Sequence, residues 1–168
     1  MMIRPYLPAD WNAVWGLLEP VFRAGETYTI ARDITEPEAQ RFWTSPPKHC
    51  FVAADATTGE ILGTYFLRTN QEGPGAHVCN AGYIVSAAAR GRGVASQLCV
   101  HSQEEARRQG YRAMQFNCVV STNVGAVRLW HSLGFETVGT LPGAFAHPAR
   151  GEVDAFVMYK RLTNVAGG

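Results

Sequence analysis

Apolar side chains recur every three or four residues in three stretches of the chain, and this period predicts three helices with one buried face each. The positions that define these faces are Trp11, Val14, Trp15, Leu18 and Phe22, then Val94, Leu98, Ser102 and Ala106, then Ala126, Leu129, Trp130 and Leu133. A fourth helix is predicted by its ends. Thr35-Glu-Pro-Glu38 is a capping box with proline in the first turn, and Ser45-Pro46-Pro47 stops the helix.

Continuous apolar runs between these helices predict strands. They cover residues 2–7, 50–54, 61–67, 78–85 and 114–120, with a further pair between 137 and 159. The turn at 55–60 joins two of them as an antiparallel hairpin. Two prolines and two glycines predict a long irregular loop from 142 to 151. The result is an α/β domain with a mixed, mostly antiparallel sheet of six to seven strands covered by about four helices.

Length and charge favour one domain with a small partner. The 168 residues are 46% hydrophobic and carry a formal net charge of +1, so neither nucleic acid nor an anionic membrane is an expected partner. We expect a single domain over residues 1–162 and a C-terminal tail over 163–168. Without a membrane-spanning apolar run or a signal-peptide block, the expected location is the cytoplasm.

The cysteines and histidines show no spacing typical of a metal site. Cys50, Cys79, Cys99 and Cys118 are far apart in the sequence and each has apolar neighbours, which predicts reduced, buried thiols. The five histidines include no H-x-x-x-H pair. We therefore expect no metal cofactor.

A glycine-rich turn with two arginines, Arg90-Gly-Arg-Gly-Val-Ala95, lies between a predicted strand and a predicted helix. Glycines let backbone N–H groups converge on one anion, and the helix N-terminus and arginine side chains add positive charge. The turn thus predicts a phosphate site. A dinucleotide fingerprint is one alternative, but the acidic residue it needs about 20 positions later is missing from 112–116. A turn without a ligand is the other.

The motif Arg90-x-x-Gly93-x-Ala95 resembles the pyrophosphate-binding motif of the GNAT superfamily of acyl-CoA-dependent N-acetyltransferases. Residues 123–135 resemble the family's N-x-x-A-x-x-L-Y-x-x-x-G-F signature. The resemblance implies the acyl-CoA N-acyltransferase fold, acetyl-CoA as co-substrate, transfer to the amine of a small molecule, and a possible homodimer. The residues it assigns to acetyl-CoA are Tyr83, Ile84, Val85, Arg90, Gly91, Arg92, Gly93, Val94, Ala95, Ser96 and Asn123, the first three through backbone groups, one N–H being the oxyanion donor.

The chain departs from the family pattern at two positions. No glutamate lies between Ala76 and Val85 to take the proton from the amine, and Trp130 stands where a tyrosine usually protonates the thiolate. Asn80 and Asn117 are the candidate catalytic residues instead, because a buried carboxamide must find hydrogen-bond partners. Their alternative is to bond to each other or to the backbone where the strands separate. We expect catalysis mainly by positioning, with water carrying protons.

Residues 76–135 also resemble a yeast branch of the superfamily that acetylates proline analogues such as azetidine-2-carboxylate. This implies a small amino acid or cyclic secondary amine as the acceptor. The resemblance to the superfamily as a whole makes Glu26, Tyr28 and Arg32 candidate substrate contacts, with an ordinary surface loop as the alternative. Acetylation of a protein N-terminus or lysine, and acyl-CoA binding without transfer, remain open.

Overall fold

Seven strands form one sheet in the computed structural model, which describes residues 1–162. In chain order they are β1 (Met2–Pro5), β2 (His49–Ala54), β3 (Ile61–Thr69), β4 (Val78–Val85), β5 (Ala113–Val120), β6 (Glu136–His147) and β7 (Gly151–Arg161). Their spatial order is β1-β2-β3-β4-β5-β7-β6. Every neighbouring pair is antiparallel except β4 and β5, which are parallel. The predicted mixed, mostly antiparallel sheet is confirmed.

Four α-helices cover the sheet within the described residues. They are α1 (Trp11–Ala24), α2 (Glu36–Thr44), α3 (Val94–Arg108) and α4 (Val124–Ser132). The start of α2 follows the predicted capping chemistry, because the Glu38 carboxylate accepts hydrogen bonds from the Thr35 N–H at 2.9 Å and its hydroxyl at 2.6 Å. At α4, the Asn123 side-chain oxygen accepts from the Ala126 N–H at 3.3 Å.

The helices bury two separate apolar clusters on the two faces of the sheet. One cluster joins α1 and α2 to the sheet, with Phe22, Trp43 and Phe66 among its largest side chains. The other joins α3 and α4 to the opposite face, including Leu98 and Trp130. The periods read from the sequence therefore identify the helix faces that pack on the sheet, fully buried in α3 and partly buried at Trp15 and along α4.

The predicted loop from 142 to 151 is wrong. This stretch belongs to a long antiparallel hairpin of β6 and β7, and the pairing register shifts between Leu141 and Phe145. The residues between form a bulge, in which Gly143 has φ +59° and its N–H donates to the Asp154 side chain at 2.9 Å. Proline and glycine are compatible with a strand at a bulge, which local composition cannot distinguish from a loop.

The parallel strands β4 and β5 separate soon after they meet. They pair only at Val78 with Ala113 and at Cys79 with Met114, whereas β4 stays paired with β3 as far as Val85. The β3–β4 ladder has a regular register through Asn80 and Gly82. An irregularity lies in β5 instead, between Phe116 and Val119. A wedge-shaped opening therefore lies between β4 and β5.

The thiols are free, and three of the four are buried. Cys118 is the exception to the predicted burial, because it is only half-buried. Burial raises the pKa of the Cys50 and Cys79 thiols to about 12 each, so both stay protonated near neutral pH. Over residues 1–162, no helix has the length and apolarity needed to cross a membrane. The expected tail, 163–168, lies outside the described residues.

Candidate active site

A cavity of about 1200 Å³ follows the opening between β4 and β5. It extends from the segment between α1 and α2, along β4, to the N-termini of α3 and α4. Ordinary ligand pockets hold about 300–1,000 Å³, so this cavity is larger than most single-ligand pockets. Asn80, Asn117, Glu26, Tyr28, Arg90 and Asn123 all line it.

The N-terminus of α3 forms an anion cradle at one end of the cavity. Gly93 precedes the helix with φ +76°, and the first helical hydrogen bond runs from the Gln97 N–H to the Gly93 carbonyl at 3.1 Å. The earlier amides of Val94, Ala95 and Ser96 consequently have no partner within the helix. Together with the helix dipole they favour a bound phosphate group.

The two arginines of the glycine turn differ in placement. Arg90 is exposed and lines the cavity, as predicted for a phosphate contact. Arg92 lies outside the cavity lining, and its guanidinium pairs with the Asp55 carboxylate at 3.6 Å. The geometry therefore does not support the predicted contact of the Arg92 side chain with a phosphate, because an acid from the β2–β3 turn holds it elsewhere.

The pairing register decides which β4 amides face the opening. The Ser86 N–H donates to the Leu62 carbonyl, and the Asn70 N–H donates to the Val78 carbonyl. Since backbone groups alternate along a strand, Tyr83 and Val85 present their amides to the opening. Ile84 is paired with Thr64 on the β3 side. The Ile84 amide therefore points toward β3 and away from the opening, so the backbone contact predicted there is wrong. The contacts predicted at Tyr83 and Val85 stay predictions.

A tyrosine from the α1–α2 segment closes one side of this edge. The Tyr28 hydroxyl donates to the Tyr83 carbonyl at 2.8 Å. Desolvation by burial raises the pKa of the Tyr28 phenol well above its ordinary value, so the hydroxyl keeps its proton and remains a donor. Tyr28 thus links the segment between α1 and α2 to the edge of β4 that faces the opening.

The two candidate catalytic asparagines line the cavity, and their recorded hydrogen bonds go to other residues rather than to each other. Asn80 donates from Nδ2 to the Gln115 main-chain carbonyl at 2.9 Å, across the point where β4 and β5 separate. Asn117 donates to the Asn70 side-chain oxygen at 2.7 Å and accepts from the Gln115 side chain at 2.9 Å. Asn80 therefore has the backbone bond that was its alternative, whereas Asn117 bonds only to other side chains. The catalytic role of both residues stays a prediction.

Trp130 is a core residue at the wall of the cavity. Its indole is 9% exposed and packs against the Tyr83 and Phe116 rings, with centroids 5.1 Å away in both cases. The Tyr83 hydroxyl bonds to the Ser102 hydroxyl at 2.7 Å, and burial raises the pKa of this phenol. Neither ring is placed to protonate the thiolate for which the family usually has a tyrosine. Asn123 lines the cavity at the N-terminus of α4.

Two of the three predicted substrate contacts lie where the segment between α1 and α2 lines the cavity, and we call this part the acceptor end. Glu26 and Tyr28 line the cavity, but Arg32 does not, because its Nε donates to the Arg23 carbonyl at 2.8 Å on the outside of the segment. Phe42, Phe66, Arg68 and His147 are among the lining residues for which the sequence predicted no role in the site. For Arg68, the sequence offered one indication of a role in the site: its positive charge directly follows the apolar run of β3.

Comparison with known proteins decides the family. Residues 11–135 match the acetyltransferase (GNAT) family. The chain belongs to this family. It is an N-acetyltransferase by class, and its sheet with the parallel β4–β5 opening is the GNAT fold.

Individual relatives agree with this membership. The N-acetyltransferase aca1 of Schizosaccharomyces pombe is 30% identical over 148 residues, covering 79% of this chain and 71% of that protein. The structure of a GCN5-related N-acetyltransferase from Kribbella flavida is 44% identical with a TM-score of 0.91, covering 95% of this chain and 96% of that one. The structure of yncA from Salmonella typhimurium, solved with its cofactor acetyl-CoA, is 22% identical with a TM-score of 0.82, covering 100% and 97%.

Proposed function

We propose that this GNAT protein transfers the acetyl group of acetyl-CoA to the amine of a small molecule, in particular an amino acid or proline analogue. The observation that carries the proposal is the continuity of one cavity. It joins the anion cradle at α3, the free edge of β4 and the space beside Asn80 and Asn117. The acetyl-CoA bound to yncA supports the choice of co-substrate. A single domain over 1–162, a cytoplasmic location and a homodimer remain expectations of the proposal.

The cradle fits the diphosphate of acetyl-CoA. A Cβ on Gly91 would meet no atom within 4 Å, and one on Gly93 would meet only Gln97 Nε2 at 3.8 Å, so both glycines leave space above the amides of the first turn of α3. Acetyl-CoA supplies the thioester. Arg90 and the amides of Val94, Ala95 and Ser96 are the groups that would hold its phosphates.

The protein's own groups contribute by positioning the two substrates rather than by acid–base catalysis. An outward amide of Tyr83 or Val85 donates to the acyl oxygen as negative charge develops there. Asn80 and Asn117 orient the acceptor amine without adding a fixed charge. Because β4 contains no carboxylate, we assign proton removal to water. An aliphatic thiol has a pKa of about 8.5, so its thiolate departs without a strong acid, aided by Asn123 and the N-terminus of α4.

The proposal is tested by release of free CoA thiol from acetyl-CoA with a panel of amines. We expect turnover with small amino acids or cyclic secondary amines such as azetidine-2-carboxylate and proline. Turnover confined to peptide N-termini or peptide lysines would move the assignment to a protein acetyltransferase. Calorimetric binding of CoA without transfer to any amine would instead identify an acyl-CoA sensor and overturn the proposal.

Gly93→Ala should weaken acetyl-CoA binding about tenfold, since it strains the turn that aims the α3 amides and costs about one charge-assisted hydrogen bond. Gly110→Ala is a matched control. Gly110 lies just beyond the other end of α3 and also has a positive φ, +87° against +76° for Gly93, with nothing within 4 Å of an added Cβ. Calorimetry with CoA and thermal unfolding should show similar losses of stability in both variants but weaker CoA binding only in Gly93→Ala. Equal CoA affinities in the two variants would contradict the cradle.

A further inference from the structure

Arg68 has a buried nitrogen without a hydrogen bond. The residue lies near the end of β3 and lines the cavity, and its Nε has no partner within residues 1–162. A guanidinium keeps its charge at all ordinary pH values, so an unsatisfied buried N–H is unfavourable unless a ligand completes it. A carboxylate is the small group whose geometry matches the guanidinium fork.

A second cation, Lys48, lies in the same region as Arg68. Burial lowers the pKa of Lys48, and the positive charge of Arg68 lowers it further. The Lys48 amine lies 4.8 Å from the centroid of the Phe42 ring and 5.8 Å from that of Phe66. Ion pairs within the described residues involve Arg4, Arg23, Arg92 and Arg108, but neither of these two cations. Glu26 is a carboxylate at the same end of the cavity, so the two cations and this one acid leave the acceptor end with a net positive charge.

The neighbour of Arg68 across the strand pair is Asn80. The two residues are register partners in the β3–β4 ladder, so their side chains leave the same face of the sheet about 5 Å apart. Asn80 uses its Nδ2 on Gln115, and its side-chain oxygen accepts no hydrogen bond from residues 1–162. A cation and a free carboxamide oxygen at this spacing match the carboxylate and the amine of one α-amino acid.

We infer that Arg68 binds the carboxylate of the acceptor, which makes the substrate class α-amino or α-imino acids rather than neutral amines or polyamines. The inference rests on the proposed function and names the substrate class of that same site. Arg68 holds the carboxylate by charge-assisted hydrogen bonds, Lys48 adds positive potential, and the Asn80 oxygen accepts an N–H from the amine. The Phe42 and Phe66 rings beside the site favour a small apolar side chain or ring.

The test compares an acid with its uncharged amide. For the unmodified protein, kcat/KM with azetidine-2-carboxylate or proline should exceed that with the corresponding carboxamide by about 10–100-fold. Arg68→Met should remove most of this preference by lowering the value for the acid alone. Arg41→Met, on the exposed side of α2, is the matched control and should keep the preference. Calorimetry with CoA should give the same affinity in all three proteins.

Binding separates this inference from the proposed function. Titration of the acid and the amide into the CoA-saturated protein should show tighter binding of the acid, and Arg68→Met should abolish the difference. Acid and amide that act and bind equally well in the unmodified protein would overturn the inference while leaving amine acetylation intact. Binding of the acid that depends on Arg68, without turnover of any amine, would keep the carboxylate site and overturn the proposed function.

Discussion

Replacing Trp43 with alanine should lower the free energy of unfolding by about 3–5 kcal/mol, the usual loss for a large aromatic ring in a core. Trp43 is fully buried on the inner face of α2. Its ring packs against Phe66 with centroids 4.9 Å apart and against Tyr28 with centroids 5.9 Å apart. The indole N–H also donates to the Thr64 hydroxyl at 3.1 Å. One side chain thus fixes α2 to β3 and to the segment that carries Tyr28.

Denaturant unfolding measures this loss, and Trp15→Ala provides a matched control. Trp15 lies on the same side of the sheet but is only half-buried, and it stacks on Trp11 with centroids 6.1 Å apart. Its replacement should cost less than half as much, because less apolar surface leaves water on folding at that position. A loss below about 1 kcal/mol for Trp43→Ala would show that α2 is not anchored through this ring.

The helices were predictable because their determinants are local. The four positions read as the inner face of α3 are all buried, since a period of 3.6 residues is a property of the segment itself. The β6–β7 hairpin was not, because Pro142 and Gly143 indicate a loop unless the partner strand is known. Asp154, on β7, supplies the acceptor that holds the bulge. Pairing between distant segments decided that case.

The same distinction applies to the site. The cradle follows from consecutive residues, so the glycine turn predicts it and the structure places Arg90 there. Arg92 has the same local context, but Asp55, which is distant in the sequence, holds it outside the cavity. Arg68 shows the converse: a single cation at the end of a strand has no motif, and only the β3–β4 register brings it beside Asn80.

The orientation of the β4 amides likewise could be determined only from the three-dimensional structure. From the sequence, Tyr83, Ile84 and Val85 are equivalent members of one apolar run. The register with β3 makes them alternate, so that Ile84 bonds within the sheet and its two neighbours face the opening. Composition predicts that residues 78–85 form a strand. Which part of that strand has an unpaired edge depends on where β5 separates from β4.

Asn80→Ala should lower kcat/KM for the acceptor by about 10–100-fold while the affinity for CoA changes less than about twofold. Asn80 is 8% exposed, and its side chain bridges to Gln115 immediately after Cys79 and Met114, the last pair of β4 and β5. Alanine removes the carboxamide oxygen that we assign to the amine, and it leaves the Gln115 carbonyl without this donor. The amides of α3, which we assign to the phosphates, are untouched.

Steady-state kinetics with the acceptor and calorimetry with CoA separate these effects, and Asn12→Ala on the exposed side of α1 is the control for the loss of a carboxamide. The unpaired Gln115 carbonyl should also reduce stability by about 1–3 kcal/mol, so both assays belong well below the melting temperature of the variant. If CoA binding collapsed with Asn80→Ala, the asparagine would belong to the cofactor end of the cavity. In that case the bridge to Gln115 would serve to hold the β4 edge open for acetyl-CoA, and the acceptor amine would depend on Asn117 alone.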